Sequence, residues 1–296
     1  MPVIKIFSAA NPARPPNQGG HVAAAVMAKT LAAASEPLKP HEHRKRVKAE
    51  RTRPKNPNSL TLNQHVFPSR SIERFTDQGG CVSVHRLHRA EVIRIKPNNP
   101  IFCGRRAWDE GTETRYMKRI EDDFQRIVDL IVEGKTQSLS SESKVAIDRA
   151  YALWYMRARY RELETQEIQL NGIVGNELTK EQEENLEKNG YIFARKNGKL
   201  PARQLNGIQL RMRIDDYART LATTVTRWGV ITAQSGEFIV PDVPSHGIIP
   251  LTPCLALVNS ASDGMIVERN VAEINRAVKE TSLDYFFARD CGACPF

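Results

Sequence analysis

Apolar residues recur at helical spacing in three long segments of the chain, at residues 112–134, 138–164 and 202–228. In the first segment, intervals of three and four residues place five side chains on one face: Tyr116, Ile120, Phe124, Ile127 and Ile131. Gly134 is a plausible end for this helix, and Ser140 or Ser141 can cap the next one. Because an apolar face needs a partner, we expect the first two helices to pack as an antiparallel pair.

Alternating apolar and polar residues predict strands between and after these helices. Residues 81–85 and 92–95 are typical of a hairpin, and residues 228–240 predict two short strands joined by a polar turn. The remaining predicted elements are an acidic helix (178–190), a hairpin turning at Asn197 and Gly198, a proline-rich loop (241–253), a strand (254–260), a helix (271–278) and a last strand (283–289). The sequence therefore predicts an α+β fold, with an antiparallel sheet and a packed group of long helices.

The periodic pattern begins only at residue 61, which places the predicted domain boundary near Ser59. Residues 61–296 form one predicted α+β domain. Residues 1–60 are rich in Pro, Ala and Gly and poor in aromatic residues, a composition typical of a loose arm. We therefore expect a flexible N-terminal arm followed by a single folded domain.

Positive charge is concentrated in this arm. The chain has a formal charge of +9, and residues 1–60 carry eleven Lys or Arg against three Glu, which leaves +1 for the rest. Seven basic residues lie close together: Arg44, Lys45, Arg46, Lys48, Arg51, Arg53 and Lys55. They can neutralise several phosphates, and without interleaved aromatic residues the contact would be blind to base sequence. The open alternative is a disordered leader that only keeps the protein soluble.

Several classes of protein are disfavoured by the sequence. No apolar run approaches the ~18 residues needed to span a bilayer, and no apolar block leads to a secretory cleavage site. Five cysteines, an odd number, predict reduced thiols in a soluble cytoplasmic protein. The pair at Cys291 and Cys294 could bind zinc or undergo redox chemistry, but a solvated tail is the simpler interpretation.

Common catalytic motifs are also missing from the sequence. It contains no phosphate loop with its lysine, no dinucleotide fingerprint, no HExxH and no G-x-S-x-G. A candidate site must therefore come from less familiar residues, such as those of "NQHVFPSRSIERF" at positions 63–75.

Four separated stretches together resemble one bacterial family. "NQHVFPSRSIERF" is similar to a QHxxPxxYLRxF opening, "IEDDF" to an acidic helix position, "LWYMRARYRE" to an ALQxxRTPxFR helix, and "FIVPDVP...PLTP" to FxTSDxPV...PLSP. In this order they resemble the family catalogued as domain of unknown function 4238, over residues 61–289. The family's activity is not established, so the resemblance implies candidate positions and no reaction. The chain departs from the pattern at Pro241 and Val243, and at Ala158 in the arginine helix.

The candidate positions are Gln64, His65, Glu121, Arg157 and Asp242. If they meet, His65 and Asp242 can form a base or a metal-binding pair, Gln64 can position a substrate oxygen, and Arg157 can stabilise negative charge. Glu121 can add a carboxylate, and Mg²⁺ or Mn²⁺ is a possible cofactor. The structural alternative remains open: Gln64 and His65 can tie down a loop, Asp242 can close a turn, and Arg157 and Glu121 can form an ion pair.

Three functional hypotheses follow. The first is a hydrolase acting on nucleic acid, nuclease-like, serving as a toxin or defence effector. The second is a non-catalytic module that binds nucleic acid or protein. The third is a small-molecule pocket between the paired helices and the Asp242 loop, lined by Trp154, Trp228 and Tyr217.

Overall fold

The computed structural model describes residues 49–136, 138–162 and 167–296. Helices and mainly antiparallel strands both occur in this part of the chain, often in separate runs, which confirms the predicted α+β class. Among these residues, no helix combines the length and apolar character needed to cross a membrane.

The helices occur close to where the apolar spacing predicts them. In chain order they are α1 (Ser69–Glu73), α2 (Lys118–Val132), α3 (Ser141–Arg159), α4 (Lys180–Lys188), α5 (Ala202–Thr224) and α6 (Glu268–Thr281). The Ser140 hydroxyl accepts a hydrogen bond from the Ser143 amide at 3.2 Å and caps α3 as expected. Gly134 has a φ of +67°, the left-handed conformation that favours glycine just after a helix end. The helix α3 packs against both α2 and α5.

The strands form two four-stranded sheets and two small ribbons. In chain order they are β1 (Asn63–His65), β2 (Val82–Arg86), β3 (Glu91–Ile95), β4 (Cys103–Arg105), β5 (Ile168–Gln169), β6 (Lys199–Leu200), β7 (Trp228–Ala233), β8 (Val240–Pro241), β9 (Ile248–Thr252), β10 (Leu255–Asn259), β11 (Gly264–Ile266) and β12 (Tyr285–Ala288). The sheets have the orders β3-β2-β12-β8 and β11-β7-β10-β9, and the ribbons are β1-β4 and β5-β6. All neighbours are antiparallel except β11 and β7.

Some predicted connections are wrong. The strands β7 and β8 do not form a hairpin, because β7 pairs with β10 and β8 pairs with β12. Part of the predicted proline-rich loop is the strand β9, in which Pro250 lies opposite Ala256. The hairpin turning at Asn197 is confirmed by an antiparallel bridge between Arg195 and Lys199, and β6 pairs in addition with β5, from before α4. Each error concerns a partner that is distant in sequence.

The hydrophobic core has two parts. The larger cluster lies among the helices and sheet β3-β2-β12-β8, and its largest buried side chains include Phe75, Trp108, Trp154 and Phe287. The smaller cluster covers the other side of β12, where Phe286 meets α6. The C-terminal Cys294 is buried in this second cluster, so the predicted solvated tail is wrong at this residue.

Residues 49–60 pack on the folded part, which corrects the predicted boundary. Leu60 is buried, and the Arg53 amide donates to Glu184 Oε1 at 2.7 Å. Glu50 pairs with Arg203, Lys180 and Arg195, the last at 2.6 Å. The folded part therefore begins before residue 60. The apolar pattern does not indicate this start, because most of these contacts are polar.

Candidate functional site

Gln64 is a buried backbone clamp. It lies on β1 opposite Gly104 of β4, and its side chain is fully buried. Its Oε1 accepts hydrogen bonds from the amides of Ala107 (2.7 Å) and Trp108 (3.2 Å), and its Nε2 donates to the Trp108 carbonyl at 2.9 Å. The amide group is thus engaged by main chain, the pattern of a residue that fixes a loop.

His65 is half-buried, and its ring contacts the backbone of another loop. It lies opposite Cys103 in the β1-β4 ribbon, and its Nε2 is 3.1 Å from the Pro97 carbonyl. The ring also acts electrostatically on Glu113. The described hydrogen-bond partner of His65 is therefore the Pro97 carbonyl and not Asp242.

Asp242 closes a turn. It follows β8, is 2 % exposed, and its two carboxylate oxygens accept from the amides of Leu283 and Asp284, each at 2.9 Å. Burial raises the pKa of Asp242, and the positive charge of Arg161 offsets part of that rise. No contact joins Asp242 to His65 in the described part of the chain, so the predicted pair does not form there.

Arg157 and Glu121 meet as an ion pair, which agrees with the structural alternative of the sequence analysis. Arg157 lies on α3 and is 0 % exposed, and its Nη1 pairs with Glu121 Oε1 of α2. Its Nη2 donates to Glu113 Oε2 at 3.1 Å, and its Nε lies 3.3 Å from the Met117 sulfur. Burial alone would lower the pKa of Arg157, but the two glutamates outweigh it and raise that pKa. We name Trp108, Glu113, Glu121 and Arg157 the Arg157 cluster.

Glu113 is the member of this cluster that the sequence analysis missed. Its Oε2 accepts from the Trp108 indole Nε1 at 2.7 Å as well as from Arg157. Burial raises the pKa of Glu113, while Arg157 opposes the rise. Glu113 precedes Glu121 by eight residues, a spacing that brings two side chains to similar faces of a helix. That spacing was the available signal.

A π-helical turn shapes the start of α2. Residues Thr112–Met117 form this turn, directly before α2. Asp109, just before the turn, holds its first residue in place. The Asp109 carboxylate accepts hydrogen bonds from the Thr112 amide at 2.8 Å and from the Thr112 hydroxyl at 2.6 Å. Wide turns of this kind are frequent at functional sites. Here the turn places Glu113 and Met117 in contact with the Arg157 guanidinium, which Glu121 also contacts.

The two carboxylates of the cluster reach the surface to a small extent. The side chains of Glu113 and Glu121 are 15 % and 18 % exposed, whereas Arg157 between them is enclosed. A cavity beside Glu121, bounded by Phe67, Trp154 and Ile249, has an internal volume of about 10 Å³. That is room for about one water molecule, so it is too small for the predicted small-molecule pocket.

Trp228 and Tyr217 do not line this cavity. Trp228 is buried and donates its Nε1 to Asp148 at 2.8 Å, so its ring belongs to the core. No group of three or more His, Cys, Asp or Glu side chains in the described ranges is arranged to hold a metal ion. The thiol of Cys103, next to the cluster, has its pKa raised to about 12 by burial.

The predicted nucleic-acid-binding residues divide into three groups. Four of them lie outside the described residues: Arg44, Lys45, Arg46 and Lys48. Arg51 and Lys55 are exposed at the start of the described part. Arg53 is engaged with Glu184 and with Glu181, the latter at 3.3 Å, so it contributes to the fold.

Comparisons with family models, with curated proteins and with solved structures give no match. The resemblance to the family of domain of unknown function 4238 therefore stays a prediction.

Proposed function

We propose that this protein binds nucleic acid through the basic segment at residues 44–55, and that the folded part is a non-catalytic α+β scaffold. The observation that carries the proposal is the division of positive charge between these two regions. Residues 1–48 contain eight Lys or Arg against two Glu, and the exposed Arg51 and Lys55 continue the segment. Phosphate contacts by such a segment give affinity without sequence preference.

The buried arginines of the folded part support this proposal, because most are engaged with carboxylates. Arg106 and Arg203 share Glu187, with distances of 2.7 and 2.8 Å to its Oε2. The half-buried Arg195 is likewise paired with Glu183 at 2.5 Å. These guanidinium groups have their counter-charges in the fold, so they add little to a phosphate-binding surface.

The five thiols are free, which supports a reducing compartment such as the cytoplasm as the place where the protein works. Nucleic acid is accessible to a protein in that compartment.

The test is a binding titration against salt. Fluorescence anisotropy with labelled single-stranded DNA, duplex DNA and RNA would compare the full chain, a truncation lacking residues 1–48, and the quadruple variant R44Q/K45Q/R46Q/K48Q. Each lost phosphate contact removes about 0.9 from the magnitude of the slope of log K against log salt on duplex DNA, so the quadruple variant should reduce that magnitude by about 3.6. We end the truncation at residue 48 because Glu50 and Arg53 hold the fold together.

Arg219→Gln and Arg269→Gln are matched controls, since both arginines are well exposed on the folded part, at 76 % and 86 %. They should leave affinity and slope nearly unchanged. Equal affinity and slope for the full chain and the truncation would refute the proposed role of the segment.

A second function, hydrolysis of nucleic acid, is favoured by one observation: two partly exposed carboxylates are held on one buried guanidinium. Glu113 has a raised pKa and can serve as a general acid, while Glu121 can act as a base. Gln64 fixes the Trp108 backbone and so positions the indole that holds Glu113. In this arrangement Arg157, Gln64 and Trp108 position the carboxylates.

A cleavage assay tests this second function. Wild type, Glu113→Gln, Glu121→Gln and His65→Ala would be incubated with labelled DNA and transfer RNA, with Mg²⁺ or Mn²⁺ and then with chelator. Degradation that is lost in Glu113→Gln and retained in Asp122→Asn, an exposed acid of the same helix, would support catalysis. Binding by wild type with no cleavage under any condition would exclude hydrolysis of these substrates.

A further inference from the structure

Arg213 is a buried arginine with unused hydrogen-bond donors. It lies on α5, is 6 % exposed, and its guanidinium is 4.5 Å from the centre of the Tyr160 ring. Its Nε and Nη1 are buried and have no hydrogen-bond partner in the described part of the chain. Asp216, one turn further along α5, pairs with Arg219 instead.

A second arginine stands beside it. Arg159, at the end of α3, is 7 % exposed, and its Nε donates to the Tyr160 hydroxyl at 3.3 Å. Its guanidinium is 5.8 Å from the same ring. Burial and the positive charge of Arg159 lower the pKa of Arg213 to about 10, and no described carboxylate opposes them. Two positive charges therefore converge on one tyrosine.

Other fully enclosed arginines of this protein differ in this respect. Arg106, Arg157 and Arg203 each have a glutamate within ion-pair distance. A buried charge without a counter-charge is strongly unfavourable, and fixed donors without acceptors add to the cost. The contrast indicates that the counter-charge of Arg213 comes from a bound anion.

The surroundings favour a phosphate group as this anion. A guanidinium presents its donors in a planar fork that matches two oxygens of a phosphate, and a neighbouring cation suits a group with more than one negative charge. Tyr155 and Tyr217, half-buried one helical turn from Arg159 and Arg213, lie with ring centres 5.0 Å apart. Aromatic rings at this place could also contact a base or another flat group.

We propose that the seam between α3 and α5 binds a phosphate group, with Arg213 as the principal ligand and Arg159 as the second cation. The site goes beyond the proposed nucleic-acid binding, because it uses no residue of the segment 44–55. Its ligand can be inorganic phosphate or the phosphate of a nucleotide, since both present the same oxygens to Arg213.

The test uses the full chain and two variants, Arg213→Met and Arg219→Met. Arg219 is the matched control, as it lies on the same helix and is 76 % exposed. Thermal unfolding would be followed in phosphate-free buffer, then with increasing sodium phosphate, with sodium chloride at equal ionic strength as reference. At about a hundredfold excess over Kd, phosphate should raise the Tm of wild type and Arg219→Met by roughly 5 °C more than chloride does.

Arg213→Met should lose this response and, in phosphate-free buffer, have a Tm no lower than that of wild type. Adenosine and uridine monophosphates, compared with their nucleosides, separate the two sources: a larger shift than that of phosphate identifies a nucleotide, and an equal shift identifies free phosphate. A wild-type Tm that responds equally to phosphate and chloride overturns the proposal. So does a lower Tm of Arg213→Met without phosphate, because the chain itself would then supply the counter-charge.

Discussion

Arg157 and Arg213 are both buried between packed helices, yet their surroundings are opposite. Each of the three guanidinium nitrogens of Arg157 has a partner: two contact carboxylates and one contacts a thioether. Arg213 has a tyrosine ring and a second arginine, and two of its nitrogens have no hydrogen-bond partner among the described residues. Burial costs both residues the hydration of their charge.

The difference shows that the partners of a buried charge, and not its burial, indicate its role. A guanidinium that is saturated by the fold holds its partners in place, as Arg157 holds Glu113 and Glu121. A guanidinium that the fold leaves unsaturated has donors available for a ligand. The variants below are expected to separate these two cases, because they should change stability in different directions.

Arg157→Met should have the largest effect, a loss of about 3–5 kcal/mol in the free energy of unfolding, because it leaves two carboxylates without their counter-charge. Without Arg157, the pKa of the buried Glu113 would rise further. A carboxyl group with a raised pKa in the folded state stabilises below its unfolded pKa and loses that contribution as pH increases. Urea unfolding should therefore show a larger deficit at pH 8 than at pH 5.

Arg126→Gln is the control for Arg157→Met, since Arg126 is 75 % exposed on α2 and should cost under about 1 kcal/mol. If Arg157→Met loses no more free energy of unfolding than Arg126→Gln at both pH values, the cluster adds nothing to stability.

Gln64→Leu should have the next largest effect, a loss of about 2–3 kcal/mol. The leucine keeps the approximate volume but leaves the Ala107 and Trp108 amides and the Trp108 carbonyl without partners inside the protein. Trp108 near-ultraviolet circular dichroism should change as its backbone relaxes. Gln169→Leu, at an exposed glutamine of β5, is the control. A similar, small loss of stability in both variants would contradict the role of Gln64 as a backbone clamp.

Glu50→Gln tests a third arrangement, in which one half-buried carboxylate forms ion pairs with several basic side chains. Burial would raise the pKa of Glu50, but Arg203, Lys180 and Arg195 outweigh it and lower that pKa to about 2. A lowered pKa stabilises the fold above about pH 4.5, and the contribution is lost as pH falls towards 2. Since 35 % of the side chain is exposed, we expect a deficit of about 1–2 kcal/mol at pH 7.

The deficit of Glu50→Gln should shrink as urea unfolding is repeated from pH 7 down to pH 3. Glu133→Gln, at an exposed acid paired with the exposed Lys135, should show no such trend. A constant difference between Glu50→Gln and wild type across this range would mean that Glu50 is not the titrating group.

Much of the fold could be predicted from local patterns. The helices α2, α3 and α5 and the hairpin β2-β3 follow from spacing within single segments. Strand partners such as β9 with β10, across a proline, and β8 with β12 depend on distant residues. Local spacing carries no information about such pairs.

Of the four residues of the Arg157 cluster, the sequence analysis names Glu121 and Arg157 and does not name Trp108 and Glu113. The ion pair of Arg157 with Glu121 agrees with the structural alternative of the sequence analysis. Gln64 and His65 are adjacent in sequence, yet strand alternation sends their side chains to different loops. The helical spacing of Glu113 and Glu121 indicates a shared face, but it does not show that Glu113 contacts Arg157 of another helix, which is why the sequence analysis does not include Glu113.

Arg213→Met should have the smallest effect and the opposite sign from Arg157→Met: in phosphate-free buffer, we expect stability to rise by about 1 kcal/mol. The methionine fills part of the same space and removes an uncompensated buried charge, as when other buried charges are replaced by apolar side chains. The double variant with Arg157→Met should show additive changes within about 0.5 kcal/mol, because the two sites share no partner. Urea unfolding of the four proteins measures this. A loss of stability in Arg213→Met comparable to that of Arg157→Met would show that both arginines are saturated by the fold and would remove the distinction between them.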